Sequence, residues 1–439
     1  MGTTEAQYST DTKLKRIAFL SARDRHKQFT SLMHHFNDES LKECFNQLNG
    51  RKAVGIDGID KERYAMELNR NVEELVGKMK RMAYRPGPVR QTLIPKEGKP
   101  GATRPLGISN LEDKIVQKMT QRVLDSIYEP LFLGCSYGFR IGVGPHDAIR
   151  DLQQHLYRKQ VQTVIDIDLE NYFGSINRQL LERMLREKIK DEKFIRYIIR
   201  MFKAGVLANG ELTVSEDGVV QGSMCSPVLA NVFAHYVIDE WFEEVVKPHC
   251  RGEVRIFRFC DDAVICCQSE NDARRIKEAL GKRLAKYQLR MNEEKTKLVD
   301  FRKKAGNNTS FDFLGFTHYL GRSKKGVIIP KLKTIGKRLR SKLNKVKEWA
   351  RTVKDKMELS EIWNRFRLKL RGHINYYGVS HNSRRVQTFV NRATRILFKW
   401  LNRRSQRKSF TWEKFNLYME KFPLPKVKIY HSLFQPNET

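Results

Sequence analysis

The feature that most constrains the fold is a pair of adjacent aspartates between two apolar runs. In "VRIFRFCDDAVICC" (254–267), Asp261 and Asp262 stand at the junction of these runs. Neighbouring carboxylates repel each other, and a carboxylate beside apolar residues loses hydration. Because polar residues commonly mark the bend between two strands, the segment predicts a β-hairpin with both acids at its bend. Either this is an ordinary polar turn or the acids surround a cation.

A second acidic segment offers a partner for this hairpin. "VQTVIDIDLENYFGSIN" (161–177) has the pattern of a buried strand followed by a helix. Side chains alternate along a strand, so Asp166 and Asp168 project to the same side. If the strand lies beside the hairpin, Asp168 meets Asp261 and Asp262, and such a group requires divalent cations. Carboxylates holding two Mg²⁺ ions are a common device for phosphoryl transfer.

The charge of the chain indicates a polyanionic partner. The 439 residues carry a net charge of +33, and residues 331–439 hold 28 Lys and Arg against 7 Asp and Glu, which places +21 of it there. An excess this large and this uneven predicts nucleic-acid binding rather than a merely solvated surface. A membrane-surface role is disfavoured, because no helix with a continuous apolar face stands out.

Several observations bear on the compartment. The sequence has no run of 18 or more apolar residues and no apolar signal core near its first residue. Its seven cysteines form no CxxC pair and show no zinc-binding spacing with histidine. We therefore expect reduced thiols in a cytoplasmic, bacterial protein with no membrane association.

Hydrophobic periodicity divides the chain into two kinds of structure. Up to about residue 330, helical patterns alternate with strand patterns, and a Pro- and Gly-rich segment at 84–110 surrounds one short strand at 91–94. Beyond it, apolar residues recur every three or four positions among Lys and Arg, which predicts basic helices. The fold class is α+β followed by an all-helical region.

The motifs resemble a known family, in the correct order along nearly the whole chain. The sequence is similar to group II intron-type reverse transcriptases, including their intron-encoded and free-standing members. The segments that carry the resemblance are "GIDGID" (55–60), "YRPGPVRQTLIPK" (84–96), "TRPLGI" (103–108), "DLENYFGSIN" (168–177), "QGSMCSPVLANVF" (221–233), "FCDD" (259–262), "FDFLGF" (311–316), "RGHINYYG" (371–378) and "WLNRRSQR" (400–407).

The resemblance implies a right-hand polymerase. Fingers and palm, built from antiparallel sheet plus helices, precede a basic helical thumb, or maturase domain. The expected divisions are an N-terminal extension with fingers at 1–110, the palm with the remaining fingers elements at 111–330, the thumb at 331–405 and a short basic tail at 406–439, which would be a DNA-binding remnant.

The resemblance also assigns roles to individual residues. Asp168, Asp261 and Asp262 would be the catalytic metal ligands, with Asp166 a supporting acid. The residues that would contact the incoming dNTP are Lys96, Arg104, Phe173, Gln221 and Gly222. Phe173 would exclude a 2′-OH, although an aromatic at a helix start is also a common core residue. Lys96 and Arg104 would clamp the triphosphate, or else belong to a solvated loop, and Gln221 could have a purely structural role.

Three positions depart from the family pattern. Gly174 stands where an Asp usually follows the corner phenylalanine, and Phe259 and Cys260 replace Tyr and Ala of the acidic box. None of these changes removes a predicted metal ligand.

The predicted activity is RNA-directed DNA synthesis by a nucleotidyltransferase with two Mg²⁺ ions, for which Mn²⁺ could substitute. The partners implied are dNTPs, a DNA or RNA primer, and an RNA template or intron RNA. Two alternatives stay open: a non-catalytic maturase that binds RNA as a splicing cofactor, and a polymerase recruited for defence or repair. The sequence does not indicate the oligomeric state.

Overall fold

The computed structural model describes residues 9–95, 101, 103–208, 211–214, 217–219, 221–304, 306–307, 309–404 and 411–434. Its helices are α1 (Thr10–Arg23), α2 (Asp38–Gln47), α3 (Lys61–Ala65), α4 (Leu68–Lys80), α5 (Leu111–Tyr128), α6 (Pro145–Arg158), α7 (Tyr172–Ser175), α8 (Arg178–Lys188), α9 (Glu192–Lys203), α10 (Ser226–Ala234), α11 (Glu270–Lys286), α12 (Gly336–Val353), α13 (Leu359–Tyr377), α14 (Ser383–Leu401) and α15 (Trp412–Lys421). Its strands are β1 (Val89–Pro95), β2 (Thr103–Ile108), β3 (Thr163–Asp168), β4 (Val206–Ala208), β5 (Glu211–Thr213), β6 (Val254–Phe259), β7 (Asp262–Cys267), β8 (Lys297–Asp300), β9 (Ser310–Phe313), β10 (Phe316–Arg322) and β11 (Ile328–Thr334).

Three sheets are formed by the described strands. One has the order β2-β1-β4-β5 and contains the strand predicted near 91–94. The second, with the order β6-β7-β3-β8, is antiparallel throughout, and we call it the central sheet. The third has the order β11-β10-β9. Mixed helices and sheet followed by helices agree with the predicted α+β class.

The central sheet separates two hydrophobic cores. Along β3, Ile165 and Ile167 belong to the core beneath the sheet, which is filled mainly by α1–α5 and α8–α11. Val164 belongs to the core above it, together with α6, the β9–β11 sheet and the C-terminal helices. Because side chains alternate along a strand, a two-sided burial of this kind explains why β7 is a nearly continuous apolar run.

The helical region begins later than the sequence predicts. Strand β11 pairs with β10 along its whole length, from Ile328 opposite Arg322 to Thr334 opposite Phe316. Residues 331–334 are therefore extended, and α12 starts at Gly336. The apolar residue Leu332, which fits a helical pattern from sequence, is buried instead on the β11 side facing the upper core.

Helices α12, α13 and α14 keep their cationic residues outside. In α12, the buried side is a stripe of Leu339, Leu343, Val346, Ala350 and Val353. The remaining positions carry most of the Lys and Arg of "GKRLRSKLNKVKEWARTV". Since these cations face away from the core, the helical region presents a positively charged surface.

The segment after α15 lies against both the thumb helices and α6. We call residues 422–434 the C-terminal strap. The Trp363 side chain donates to the Phe422 carbonyl over 2.9 Å, and the Gln154 side chain of α6 donates to the Leu433 carbonyl over 3.2 Å. Leu433 is buried. The described part of the predicted C-terminal tail thus consists of a helix and a docked strap.

None of the described helices is long and apolar enough to cross a membrane.

The strap approaches the end of α13 so closely that only glycine fits there. A Cβ atom on Gly378 would lie 2.5 Å from the carbonyl oxygens of both Ile374 and Lys428. Gly378→Ala should therefore lower the free energy of unfolding by about 1–3 kcal/mol, because the backbone must shift. Gly372, within α13, has open space around it. Gly372→Ala should be stabilising by about 0.5–1 kcal/mol. Thermal unfolding measures both, and equal effects would contradict the close approach.

Candidate active site

The central sheet places two of the predicted acids opposite each other. In the β3–β7 ladder, Asp168 is the partner of Asp262 and Asp166 is the partner of Val264. Partners in an antiparallel ladder project to the same face. Asp166, Asp168 and Asp262 therefore share the face that also carries Val164, above the sheet. The predicted alternation of β3 and the predicted hairpin are both present.

The remaining acid occupies the hairpin turn. Phe259 pairs with Asp262, which leaves Cys260 and Asp261 as the two central residues of the turn. Cys260 has φ +60°, a left-handed conformation that two-residue hairpins usually assign to glycine. A non-glycine residue there costs about 1 kcal/mol or more. The turn is thus strained at the residue before Asp261.

Two acids of this face, Asp166 and Asp262, have raised pKa values. Burial, reinforced by the carboxylates of Asp166 and Asp261, raises the pKa of Asp262 to about 7, against a smaller lowering by Arg338 and the Leu314 N–H. Burial, with the nearby Asp312, likewise raises the pKa of Asp166 to about 6. Both shifts show that this face concentrates negative charge in a poorly solvated place, which a cation would relieve.

Asp168 has a cationic partner that the sequence does not reveal. The Lys295 ammonium lies 2.9 Å from a carboxylate oxygen of Asp168, and the two side chains are 47% and 43% exposed. The Thr296 hydroxyl accepts from the backbone N–H of Asp168. Lys295 precedes β8, the other neighbour of β3, so it reaches the acid through sheet order. No local pattern around 295 indicates this contact.

The donor set suits Mg²⁺, since hard divalent cations prefer carboxylate oxygens. Within the part of the chain that is described, however, no three Asp, Glu, His or Cys side chains are grouped closely enough to hold a metal ion. The backbone brings two ligand positions together, while the carboxylate of Asp168 is bound by Lys295. A three-carboxylate metal site at Asp168, Asp261 and Asp262 stays a prediction.

Phe173 and Gly174 form the short turn of α7, directly after β3. The Phe173 ring is half-buried and packs edge-on against Tyr172 at 5.8 Å. Its carbonyl accepts from the Val219 N–H over 2.8 Å. Gly218 packs so closely on Gly174 that a Cβ on Gly218 would lie 2.9 Å from the Gly174 Cα. A Cβ on Gly174 would lie 2.3 Å from the Asn171 side-chain nitrogen. The departure from Asp at 174 therefore accompanies tight local packing.

The Gln-Gly segment contacts strand β2. The Gln221 carbonyl accepts from the Gly107 N–H over 2.6 Å, and Gly222 has φ +110°. A Cβ on Gly222 would lie 2.3 Å from the Gly107 carbonyl oxygen. This is the close backbone approach expected of Gly222. The Gln221 side-chain oxygen is buried and has no hydrogen-bond partner among the described residues.

The two predicted phosphate-binding cations have different outcomes. Arg104 is exposed on β2, opposite Ile94 of β1 and three residues before Gly107. It therefore lies on the strand that contacts the Gln-Gly segment. Lys96 is outside the described residues. Their roles stay predictions.

A second residue absent from the predicted set is Arg258, whose side chain is completely buried beneath the hairpin. It contacts Asp239 at 2.5 Å in an ion pair with almost no exposure. One signal in the sequence points to its burial. Arg258 follows Val254 and Ile256 at the spacing of one strand face, and that face is buried.

The raised pKa of Asp262 makes a prediction about stability in the absence of metal. Between the ordinary value of 3.8 and about 7, the folded state retains a proton that the unfolded state has lost. Ionisation of Asp262 therefore lowers the free energy of unfolding as the pH rises through this window. In chelator, Asp262→Asn should unfold at a higher temperature than wild type near about pH 8, and this difference should shrink as the pH falls and vanish below about pH 4. A pH-independent difference would contradict this assignment.

Comparison with known proteins identifies the two parts of the chain. Residues 94–318 match the family model for reverse transcriptase (RNA-dependent DNA polymerase), and residues 337–418 match the maturase-specific domain of group II introns. The first match covers the central sheet and both acidic segments. It confirms the resemblance, the fold class and the enzyme class predicted from the sequence.

Individual relatives agree with these matches. Over 308 residues, 63% of this chain and 78% of the relative, the chain is 29% identical to Protein YkfC of Escherichia coli (strain K12). Over 223 residues, it is 29% identical to the group II intron-encoded protein LtrA of Lactococcus lactis subsp. cremoris, covering 51% of this chain and 37% of LtrA. An uncharacterized 91 kDa protein in a cob intron of Schizosaccharomyces pombe is 36% identical over 174 residues, 40% of this chain and 21% of its own length. The chain thus spans well under half of the last two relatives. It belongs to the reverse transcriptase family and carries a group II intron maturase-specific domain.

Proposed function

We propose that this protein extends the 3′-OH of a primer with dNTPs on an RNA template, using two divalent metal ions held by Asp168, Asp261 and Asp262. The observation that carries the proposal is the β3–β7 ladder, in which Asp168 is the direct partner of Asp262, and Asp262 immediately follows Asp261 of the hairpin turn. Mg²⁺ is the expected ion and Mn²⁺ a substitute.

The chemistry follows from the charges of the reaction. Bound cations would lower the pKa of the primer hydroxyl and neutralise charge on the triphosphate. The three carboxylates provide the negative site that attracts those cations. Lys295 neutralises Asp168 without them, and we expect its ammonium to move when a cation binds. After losing its proton to solvent, the primer oxygen would attack the α-phosphorus, and a new P–O bond would form as the bond to the leaving pyrophosphate breaks.

Other residues would position the nucleotide. Phe173, at the start of α7, has a half-buried ring that would lie under the sugar and clash with a 2′-OH. Gln221 offers a buried side-chain oxygen without a described partner, which is suited to a donor on the nucleotide. Arg104 and Lys96 would neutralise the triphosphate, as fixed cations do in phosphoryl transfer.

The helical region supports a role in RNA binding. Its exposed Lys and Arg can contact phosphates without reading sequence. The match to the maturase-specific domain favours intron RNA as one such ligand, so we propose maturase activity as a second function. The chain could therefore combine DNA synthesis with stabilisation of a folded intron RNA.

One assay separates the candidate functions. Purified protein is supplied with Mg²⁺ and dNTPs, with or without an RNA template and with or without a DNA primer, and the splicing rate of an intron RNA is measured in parallel. Extension only in the presence of both primer and template supports reverse transcription. Faster intron splicing without any extension supports a maturase alone, and synthesis without template supports a changed task such as defence or repair.

The assignment of the metal ligands makes the first functional prediction. Asp168→Asn or Asp261→Asn should reduce primer extension more than about a hundredfold, because each removes a charge from the cation site. Affinity for RNA should stay near that of wild type. The control is Asp300→Asn. Asp300, in β8, pairs with Thr163 at the end of β3 that is far from Asp168, and its carboxylate forms a surface ion pair with Arg302. Retained synthesis in either site variant would refute the ligand assignment.

The position of Phe173 makes the second prediction. Phe173→Ala should raise the use of ribonucleotides relative to dNTPs by roughly tenfold or more, because the ring that would meet the 2′-OH is removed. Competitive incorporation of the two nucleotide types measures the ratio. Phe19→Ala, which removes an exposed aromatic ring on α1, is the matched control. An unchanged ratio in Phe173→Ala would count against the sugar contact.

A further inference from the structure

The buried side chain of Arg258 touches the backbone of the turn that carries Asp261. We propose that Arg258 and Asp239 are positioning residues, whose ion pair holds the Cys260–Asp261 turn in the conformation that binds divalent cations. This inference rests on the proposed function, because it concerns the same metal site. It assigns a task to two residues that themselves contact neither metal nor substrate.

The ion pair between Arg258 and Asp239 is bidentate. The Arg258 Nε donates to one carboxylate oxygen of Asp239 over 2.6 Å, and its Nη2 donates to the other over 2.5 Å. Both side chains are essentially inaccessible to water. Two parallel charge-assisted bonds orient the guanidinium plane as well as holding it.

The remaining donors of Arg258 reach the turn and its surroundings. Nη1 donates to the Cys260 carbonyl over 3.0 Å and to the Asn231 side chain over 3.2 Å. Nη2 also donates to the Ser136 hydroxyl over 2.7 Å. With the two bonds to Asp239, all five N–H groups of the guanidinium have acceptors. The Cys260 carbonyl belongs to the peptide bond that leads directly into Asp261.

The same network joins three separate chain segments. The backbone of Arg258 exchanges hydrogen bonds with Cys135 and Tyr137, which lie alongside β6. Asn231, in α10, donates from its side-chain nitrogen to the Gly138 carbonyl over 2.6 Å. Helix α10 begins just after the Gln-Gly segment. The guanidinium therefore links the turn that carries Asp261 to the helix that follows the predicted nucleotide contact.

A role in positioning explains why the pair is ionic. Burying two charges removes them from water, so an apolar pair of similar volume often gives equal or greater stability. An apolar side chain cannot donate to the Cys260 carbonyl, however, and Cys260 is held at a strained φ of +60°. Asp239 ends the π-helical stretch His235–Asp239, an irregularity that often accompanies functional sites. The pair thus supplies orientation that apolar packing would not.

The decisive variant replaces the whole pair, Arg258→Met with Asp239→Leu, so that no buried charge is left alone. We expect the double variant to fold with a lower melting temperature than wild type, because Asn231, Ser136 and the Cys260 carbonyl lose a donor. We also expect the Mn²⁺ dissociation constant, measured from the electron paramagnetic resonance of free Mn²⁺, to rise at least about tenfold, and the Mg²⁺ concentration for half-maximal extension to rise similarly. The control is Arg122→Met with Glu43→Leu, a partly buried pair on α5 and α2, which should leave metal binding unchanged.

A conservative variant tests the same point if the double variant does not fold. In Arg258→Lys, a single ammonium can pair with Asp239 but cannot also reach Ser136 and the Cys260 carbonyl. It should fold and show the same weakening of Mn²⁺ binding. Wild-type Mn²⁺ affinity in whichever of these variants is folded would overturn the inference.

The two proposals fail in different ways. If wild type extends primers and the variants bind Mn²⁺ as tightly as wild type, only the positioning role is wrong. If Mn²⁺ binding depends on Arg258 but wild type synthesises no DNA, only the proposed polymerase activity is wrong. Wild type that binds no Mn²⁺ with template and primer present would overturn both.

Discussion

The pairing of β3 with β7 is the constraint on which the rest of this structure depends. It places Asp168 opposite Asp262 and, through the same alternation, sends Ile165 and Ile167 into the core beneath the central sheet. A slip of one residue would exchange the two faces, burying carboxylates in an apolar core and exposing isoleucines. The apolar residues therefore hold the strands in the register that brings the acids together. The register that buries Ile165 and Ile167 is thus the same register that pairs Asp168 with Asp262.

The two faces of the hairpin handle charge in opposite ways. Above the sheet, Asp166 and Asp262 have raised pKa values because burial and neighbouring carboxylates disfavour their ionised forms. Beneath it, burial also acts against the charge of Arg258, yet the carboxylate of Asp239 keeps the guanidinium protonated and raises its pKa. The upper face carries carboxylates that a cation would stabilise, whereas the charges on the lower face are paired with each other. The proposed cation site therefore lies on one side of a turn that Arg258 holds from the other side.

The helical region is also connected to the acidic face. Leu314, between β9 and β10, bonds to Asp262 through its backbone N–H, and its carbonyl accepts from the Tyr376 hydroxyl of α13 over 2.9 Å. The strap adds a second link, because it joins the end of α13 to α6 through Gln154 and Leu433. The basic helices are therefore held at a defined place relative to the acids, as the proposed function requires for a duplex whose primer end would lie at the acids.

Local pattern in the sequence was sufficient for much of this protein. It determined the hairpin at 254–267, the common face of Asp166 and Asp168, the basic helices and, through the order of motifs, the family. Tertiary structure alone decided that Lys295 binds Asp168 from 127 positions away, that Asp239 is the partner of Arg258, that residues 331–334 continue a strand, and that the described tail docks on α6. The physical reason is that periodicity reports which side of an element is buried, whereas the partner of a charged or extended segment depends on which elements pack beside it.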